Sequence, residues 1–343
     1  MKVVIAPDSF KECMPSSQVA AVLASAVRAR WPQADVVQIP LADGGEGTLD
    51  VLATALSASV READVHDPLG RPISARYAVK GDTAIIEVAQ VVGLSLLSPG
   101  ERNPLNASSA GLGELLLAAY ADGCRHFIVG LGGTATCDGG AGLMSVPDIR
   151  QLQDARFELL CDVDAPFTGP NGAARVFAPQ KGAGPEEVEI LEKRMRKQAA
   201  LILAQTGMDV TDMPGAGAAG GLGGMFMAYF KAQMRPGIQR ILDLVHFRRA
   251  ILDADFIITG EGKSDAQTLM GKVPMGVLQN AGGIPVALLS GRIEDRTALE
   301  QAGFTPIVEV SPRTLSPQDA LNPATTAENL YKAVLEIENV YNI

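Results

Sequence analysis

The chain has 343 residues, 47% apolar and 20% charged, which suits one large or two modest soluble cores and excludes a low-complexity chain. Its formal net charge of −10 argues against nucleic acid or an anionic membrane surface as a partner, since both need basic surface. The cysteines Cys13, Cys124, Cys137 and Cys161 show no C-x-x-C spacing, and the start Met1-Lys2-Val3 has no signal-peptide pattern, so reduced thiols in the cytoplasm are expected.

In chain order, the pattern predicts a strand over 2–6, a helix opening at the Ser16-Ser17 cap and running to 30, a strand over 35–39, and a helix after Gly47. This βαβα start favours an α/β fold with a parallel sheet and covering helices. The texture then changes. Segments 73–79 and 83–89 flank Lys80-Gly81-Asp82 as a β-hairpin, followed by a helix over 109–120, a strand over 157–163 and a helix over 185–205. The uncharged stretch 213–230 is long enough to raise a membrane span, but its glycines and proline point to a glycine loop leading into a packed helix. From 237 on, alternation returns: helix 237–252, strand 255–259, helix 275–279, strand 284–290, helix 296–301, strand 306–310 and a last helix from Thr325. Alternation that stops and resumes predicts one domain from 1–66 and 241–343, with a second, mixed α/β domain inserted over 67–240.

Four apolar runs stop abruptly in glycine- and carboxylate-rich loops, and open α/β sheets bind ligands outside the carboxyl ends of such strands. After the first run, Asp8 can hold Mg²⁺ or take a hydroxyl proton and Lys11 can neutralise phosphate oxygens, while Asp8 or Ser9 can equally cap the following turn. In Asp43-Gly44-Gly45-Glu46-Gly47, two close carboxylates call for a shared cation or proton, or for a substrate hydroxyl; a helix-leading turn is the plainer alternative. Gly130-Leu131-Gly132-Gly133-Thr134-Ala135-Thr136 and 215–221, with Gly217, Gly220 and Gly221, are phosphate-cradle candidates, because without Cβ the backbone amides can approach an anion. Gly260-Glu261-Gly262-Lys263-Ser264 imitates the end of a P-loop, but Ile257 stands where the Walker pattern needs glycine. Lys181 and Lys272, each beside a glycine, are further phosphate candidates, and Asp162 and Asp164 end a strand where acids more often start turns. His66, His126 and His246 are scattered, which gives zinc or histidine-base chemistry little support.

Taken in order, Ile5-Ala6-Pro7-Asp8-Ser9-Phe10-Lys11-Glu12, Ala42-Asp43-Gly44-Gly45-Glu46-Gly47-Thr48, Asp67-Pro68-Leu69-Gly70, the run from Gly132 to Gly142, Cys161-Asp162-Val163, Pro179-Gln180-Lys181-Gly182-Ala183, the run from Pro214 to Gly221, and Thr259-Gly260-Glu261-Gly262 with Gly271-Lys272-Val273-Pro274 resemble the bacterial glycerate kinase family (type-1 glycerate kinases). The resemblance implies transfer of the γ-phosphoryl of ATP, with Mg²⁺, to D-glycerate, in most members at the 2-hydroxyl to give 2-phosphoglycerate and ADP. It also implies a flavodoxin-like (Rossmann-like) domain built from both chain ends around the inserted one. Under it, Asp8 and Asp43 are expected on the acceptor side as base or orienter, Glu46 and Asp138 as Mg²⁺ ligands directly or through water, and Lys11 and Lys181 as cations for the moving phosphoryl group. Ser9, Gly44, Gly45, Gly260, Glu261 and Lys272 join them as substrate- or phosphate-binding residues, as do the amides around Gly132, Gly133 and Thr134 and from Gly217 to Gly221. Either glycine loop can serve ATP or the substrate carboxylate. The chain departs from the family pattern after Met144, where a few tens of residues are usual and Ser145-Val146-Pro147 follows at once, and at Lys263-Ser264-Asp265, where relatives commonly read Arg-Ile-Asp. Phosphorylation at the 3-hydroxyl or of another small hydroxy acid, an NAD(P)-dependent oxidoreductase and a non-catalytic nucleotide sensor are the competing readings; the incomplete G-x-G-x-x-G counts against the oxidoreductase.

Overall fold

Val3, Val4 and Ile5 are wholly buried, as are Ile257, Ile258, Leu288 and Leu289, and an apolar run with no exposed residue needs a sheet covered on both faces. The computed structural model describes residues 1–337, in which two units are distinguished: Met1–Asp43 with the chain from Ile238 on, and Gly44–Gly237. Among the described residues the strands in chain order are β1 (Lys2–Ile5), β2 (Asp35–Gln38), β3 (Ser59–His66), β4 (Pro72–Lys80), β5 (Thr83–Glu87), β6 (His126–Gly130), β7 (Arg156–Leu160), β8 (Gln233–Arg235), β9 (Phe256–Ser264), β10 (Val286–Ile293) and β11 (Ile307–Glu309).

In the first unit the sheet order is β2-β1-β9-β10-β11 and every pair is parallel. Numbered within the unit this is 2-1-3-4-5, the doubly wound flavodoxin-like order, whose direction reverses between β1 and β9. The helix Ser16–Arg30 forms because Val19, Leu23 and Val27 recur at helical spacing with Ala20 and Ala24, and all five are buried in one cluster with Val3, Ile5, Ile258 and Leu289. Leu330, Ala333 and Val334 of the helix Pro323–Glu336 complete that layer.

Two strands outrun expectation. β9 and β10 continue through Gly260-Glu261-Gly262-Lys263 and Ser290-Gly291-Arg292, in register as far as Lys263 opposite Arg292 and Ser264 opposite Ile293. Glycine makes the approach possible: a Cβ on Gly260 would lie 1.9 Å from the carbonyl oxygen of Leu289, and one on Gly291 would lie 2.6 Å from that of Gly262. The glycine string therefore reads as a loop but folds as strand. The helix expected over 237–252 breaks into Gly237–Leu244 and Phe247–Ala250 at His246, whose φ of 54° is left-handed.

The second unit has the order β3-β4-β5-β6-β7-β8, antiparallel from β3 to β5 and parallel from β5 to β8. The hairpin at Lys80-Gly81-Asp82 is present, with Lys80 opposite Thr83. β3 was not expected, and it pairs along its whole length with β4. Asp67 makes the turn between them: its carboxylate accepts from Leu69 N at 2.8 Å, Arg71 N at 2.9 Å and Arg71 Nε at 2.5 Å. The helix Thr48–Leu56 also belongs to this unit, because Glu87 at the end of β5 accepts from Gly47 N at 3.1 Å and Leu49 N at 2.9 Å and so satisfies donors at its N-terminus. The joints thus fall after Asp43 and after Gly237, where sequence texture placed them after 66 and 240; residues 338–343 of the expected terminal domain lie outside the described residues. The stretch 213–230 becomes a glycine turn and the helix Ala218–Phe230, and among the described residues no helix is long and apolar enough to cross a membrane.

Replacing Gly260 by Ala should lower unfolding free energy by about 1–3 kcal/mol, since backbone atoms block the new methyl. Gly100→Ala, with open space around its Cβ position, should change it by less than about 0.5 kcal/mol. Equal urea midpoints for the two variants would remove close approach as the reason for the glycine.

Candidate active site

At the carboxyl ends of the first unit's strands lies a cavity of about 590 Å³. The turn after β1 brings Asp8, Ser9 and Lys11 to it, the stretch after β2 brings Asp43, and Glu261 and Arg292 come from β9 and β10. Lys272, just before the helix Val273–Asn280, joins them. The turn is fixed by backbone: Asp8 N donates to the carbonyl of Gly260 at 2.8 Å, and Ser9 N donates to Asp8 Oδ1 at 2.7 Å.

Asp8 is only 5% exposed, and its carboxyl is held well above the ordinary carboxylate range, first by burial and then by the charge of Asp43, with Glu261 adding to the rise. The Ser9 N–H and the Lys11 ammonium oppose the shift without cancelling it. Glu261 is also raised by burial. Its Oε1 accepts from Thr268 Oγ1 at 2.6 Å and Ser264 Oγ at 2.9 Å, its Oε2 lies 3.9 Å from Lys272 Nζ, and Ser264 Oγ lies 2.6 Å from Ser290 Oγ. A buried acid whose oxygens are held this way has a defined orientation.

The second unit gathers a different set. Gly132 N donates to the carbonyl of Gly44 at 3.1 Å, and a Cβ on Gly132 would lie 2.5 Å from Gly45 Cα, so these two glycine strings pack on each other. Gly133, with φ of 76°, lies against the exposed Glu46. Gly217, Gly220 and Gly221 have packing reasons as well: Cβ atoms there would meet the carbonyl of Pro166 at 2.2 Å, that of Thr136 at 2.1 Å and Gly139 Cα at 2.7 Å.

Two of the expected site residues are bonded within the fold. Asp138, expected as a Mg²⁺ ligand, has both oxygens engaged, Oδ2 by Ser109 N, Ser109 Oγ and Gly142 N at 2.8–3.0 Å and Oδ1 by Gly140 N at 3.0 Å. It ties a loop to the start of the helix Ala110–Ala121. Lys181, expected as a catalytic cation, is 3% exposed and donates to Thr134 Oγ1 at 3.0 Å and to the carbonyl of Thr136 at 2.6 Å. It braces the glycine loop from within. Among the described residues no group of three or more His, Cys, Asp or Glu side chains is arranged as a metal site.

Sequence reasoning missed Arg292 and Glu87. Both end apolar runs, Val286-Ala287-Leu288-Leu289 and Ala84-Ile85-Ile86, and so repeat the signal that marked the other loops, but neither stands in a string rich in both glycine and acid. Ser290 and Thr268 carried no signal, and Ser264 stood out within the P-loop imitation; Thr268 and Ser264 orient Glu261, and Ser290 holds Ser264.

Burial pushes the Lys181 ammonium down to about 8, with Cys137 and Asp138 opposing, while burial pushes the Cys137 thiol up to about 11. An amine that is harder to protonate in the folded chain gains stability as pH rises from its folded toward its unfolded value. The stability of the wild type relative to Lys181→Met should therefore increase between about pH 8 and 10.5, by up to about 3 kcal/mol. Parallel pH–stability curves from chemical denaturation would show that the ammonium is not desolvated in this way.

Relatives bear on the whole chain. A family model described as the glycerate kinase family matches residues 3–147 and 146–342, two segments that meet where the sequence runs short of the family pattern. A glycerate kinase of Bacillus subtilis (strain 168) is 37% identical, covering 94% of each chain, and a glycerate 2-kinase of Escherichia coli (strain K12) is 38% identical, covering 86% of each. A crystal structure of a protein designated glycerate kinase 2, from Salmonella typhimurium LT2, superposes with a TM-score of 0.82 at 36% identity, over 98% of this chain and 97% of that one. With the flavodoxin-like order and the acidic turns already in place, this chain belongs to the glycerate kinase family.

Proposed function

We propose that the protein transfers the γ-phosphoryl group of ATP to the 2-hydroxyl of D-glycerate in the cytoplasm. The observation that carries this reading is Asp8: a buried carboxylate raised by burial and by Asp43, at the carboxyl end of β1 in a cavity shared with Lys11 and Lys272. Such an acid binds a proton more readily than an ordinary aspartate, which suits a base taking the proton of an attacking hydroxyl. Asp43 orients the same hydroxyl and, by its charge, favours proton uptake by Asp8 as the hydroxyl oxygen bonds to the γ-phosphorus and the bond from that phosphorus to the β,γ-bridging oxygen breaks, releasing ADP. Lys11 and Lys272 supply positive charge for the phosphoryl oxygens, because phosphoryl transfer is mostly positioning and electrostatic stabilisation.

Mg²⁺ usually binds through one or two carboxylates with the remainder from water and phosphate oxygens, so Asp43 at the cavity would hold it without a three-acid cluster while Asp8 stays the base. When bound there, the ion would neutralise phosphate charge. The choice of the 2-hydroxyl follows the Escherichia coli relative, a glycerate 2-kinase. Cys13, Cys124, Cys137 and Cys161 are thiols rather than halves of disulfides, which suits a reducing compartment.

Incubation with Mg-ATP and D-glycerate should give the ³¹P signal of 2-phosphoglycerate; 3-phosphoglycerate would overturn the position, and unchanged glycerate beside folded, ATP-binding protein would overturn the acceptor. Asp8→Asn should lower kcat at least about 100-fold with a melting temperature no lower than that of the wild type. Wild-type kcat should rise with pH through a group above the ordinary carboxylate range, since the base must be ionised. Near-wild-type turnover in the variant would remove Asp8 from the chemistry.

A further inference from the structure

Past the last residues paired with β1 and β11, β9 and β10 continue together as a two-stranded ribbon in which Lys263 and Arg292 are cross-strand partners. Both line the cavity that holds Asp8 and Asp43. Acids fix each cation from the side: Arg292 Nη1 lies 3.0 Å from Glu309 Oε1, and Lys263 Nζ lies 3.0 Å from Glu294 Oε2 and 3.5 Å from Asp265 Oδ2. Glu309 is shared, because Arg313 Nη2 lies 3.1 Å from its other oxygen. Three cations, Lys263, Arg292 and Arg313, thus meet three acids, Asp265, Glu294 and Glu309, and two guanidinium groups share one carboxylate, each keeping N–H donors for a further acceptor. Of the two, Arg292 is the one that lines the cavity, and among the described residues Glu309 is its one ion-pair partner.

We propose that Arg292, held by Glu309 and flanked by Lys263, is the specificity-determining residue that reads a pair of anionic oxygens on a bound substrate. A planar fork already oriented on one edge loses little freedom when it takes a second oxyanion, which suits a carboxylate or a phosphate better than a neutral alcohol. The two sources of that chemistry are the carboxylate of the hydroxy acid and the phosphates of the nucleotide. This inference rests on the phosphoryl-transfer reading for the identity of those ligands.

Calorimetric titration of the full chain with D-glycerate and, separately, with ATP tests it without requiring turnover. For Arg292→Gln the dissociation constant of one ligand should rise about 10- to 100-fold, as expected for loss of charged hydrogen bonds. Arg292→Lys should recover only part of it, and Arg313→Gln, which also loosens Glu309 but does not line the cavity, should stay within about twofold. A rise for D-glycerate identifies the carboxylate as the group read, and a rise for ATP identifies the phosphates. Unchanged affinity for both ligands in a folded Arg292→Gln, an equal loss in Arg313→Gln, or no binding of either ligand by the wild type overturns the inference. Binding that is lost in Arg292→Gln while the wild type makes no phosphoglycerate would overturn the proposed reaction and leave the ribbon's role standing.

Discussion

The cavity depends on the parallel pairing of β1 with β9, strands from opposite ends of the chain: the hydroxyl of Thr259 donates to the carbonyl of Ala6 at 2.8 Å across 253 residues. Closing so long a separation costs little more than closing one half as long, because loop-closure entropy grows only with the logarithm of length. The pairing therefore tolerates a whole unit between its partners. It also sets the reversal of strand order, which places the turn after β1 beside β9 and lets Asp8 N bond to Gly260.

Burying acids beside one another opposes folding, and the two units deal with their buried charge differently. In the second, Asp138 and Lys181 are bonded to backbone and hydroxyl groups, so their charge holds loops in place. In the first, Asp8 takes one backbone donor and is raised by its neighbours, and Glu261 is oriented by two hydroxyls yet still raised. Electrostatic strain that the fold leaves in place is free to be relieved by a ligand, a proton or a cation.

The α/β class and the separateness of the two ends from the middle were legible because buried parallel strands write themselves as unbroken apolar runs. β3 was not, because Arg61, Glu62 and Asp64 interrupt it and only Val65 is buried, so its existence depends on β4. The glycine strings were legible as special backbone but not as to why. Gly132, Gly220 and Gly260 are glycine because another stretch of backbone passes where a Cβ would be, and that neighbour is remote in sequence. Lys181 reads as a phosphate candidate for the same reason: nothing near it in sequence announces the carbonyl of Thr136 that it binds. Only tertiary contact distinguishes Asp8, which takes one backbone donor and is raised by its neighbours, from Asp138, which accepts four hydrogen bonds.

β3 closes one side of the second sheet, so the backbone groups along its outer side have no neighbouring strand among the described residues. A free row of amides and carbonyls invites another chain to extend the sheet. Arg61, Glu62 and Asp64 stand along that strand, and Arg61 is anchored at 2.6 Å to Asp122. An incoming β-strand would have to strip water from these charges before forming its first hydrogen bond, so the same residues that hid β3 from sequence reading protect the protein from polymerising through it when it is concentrated.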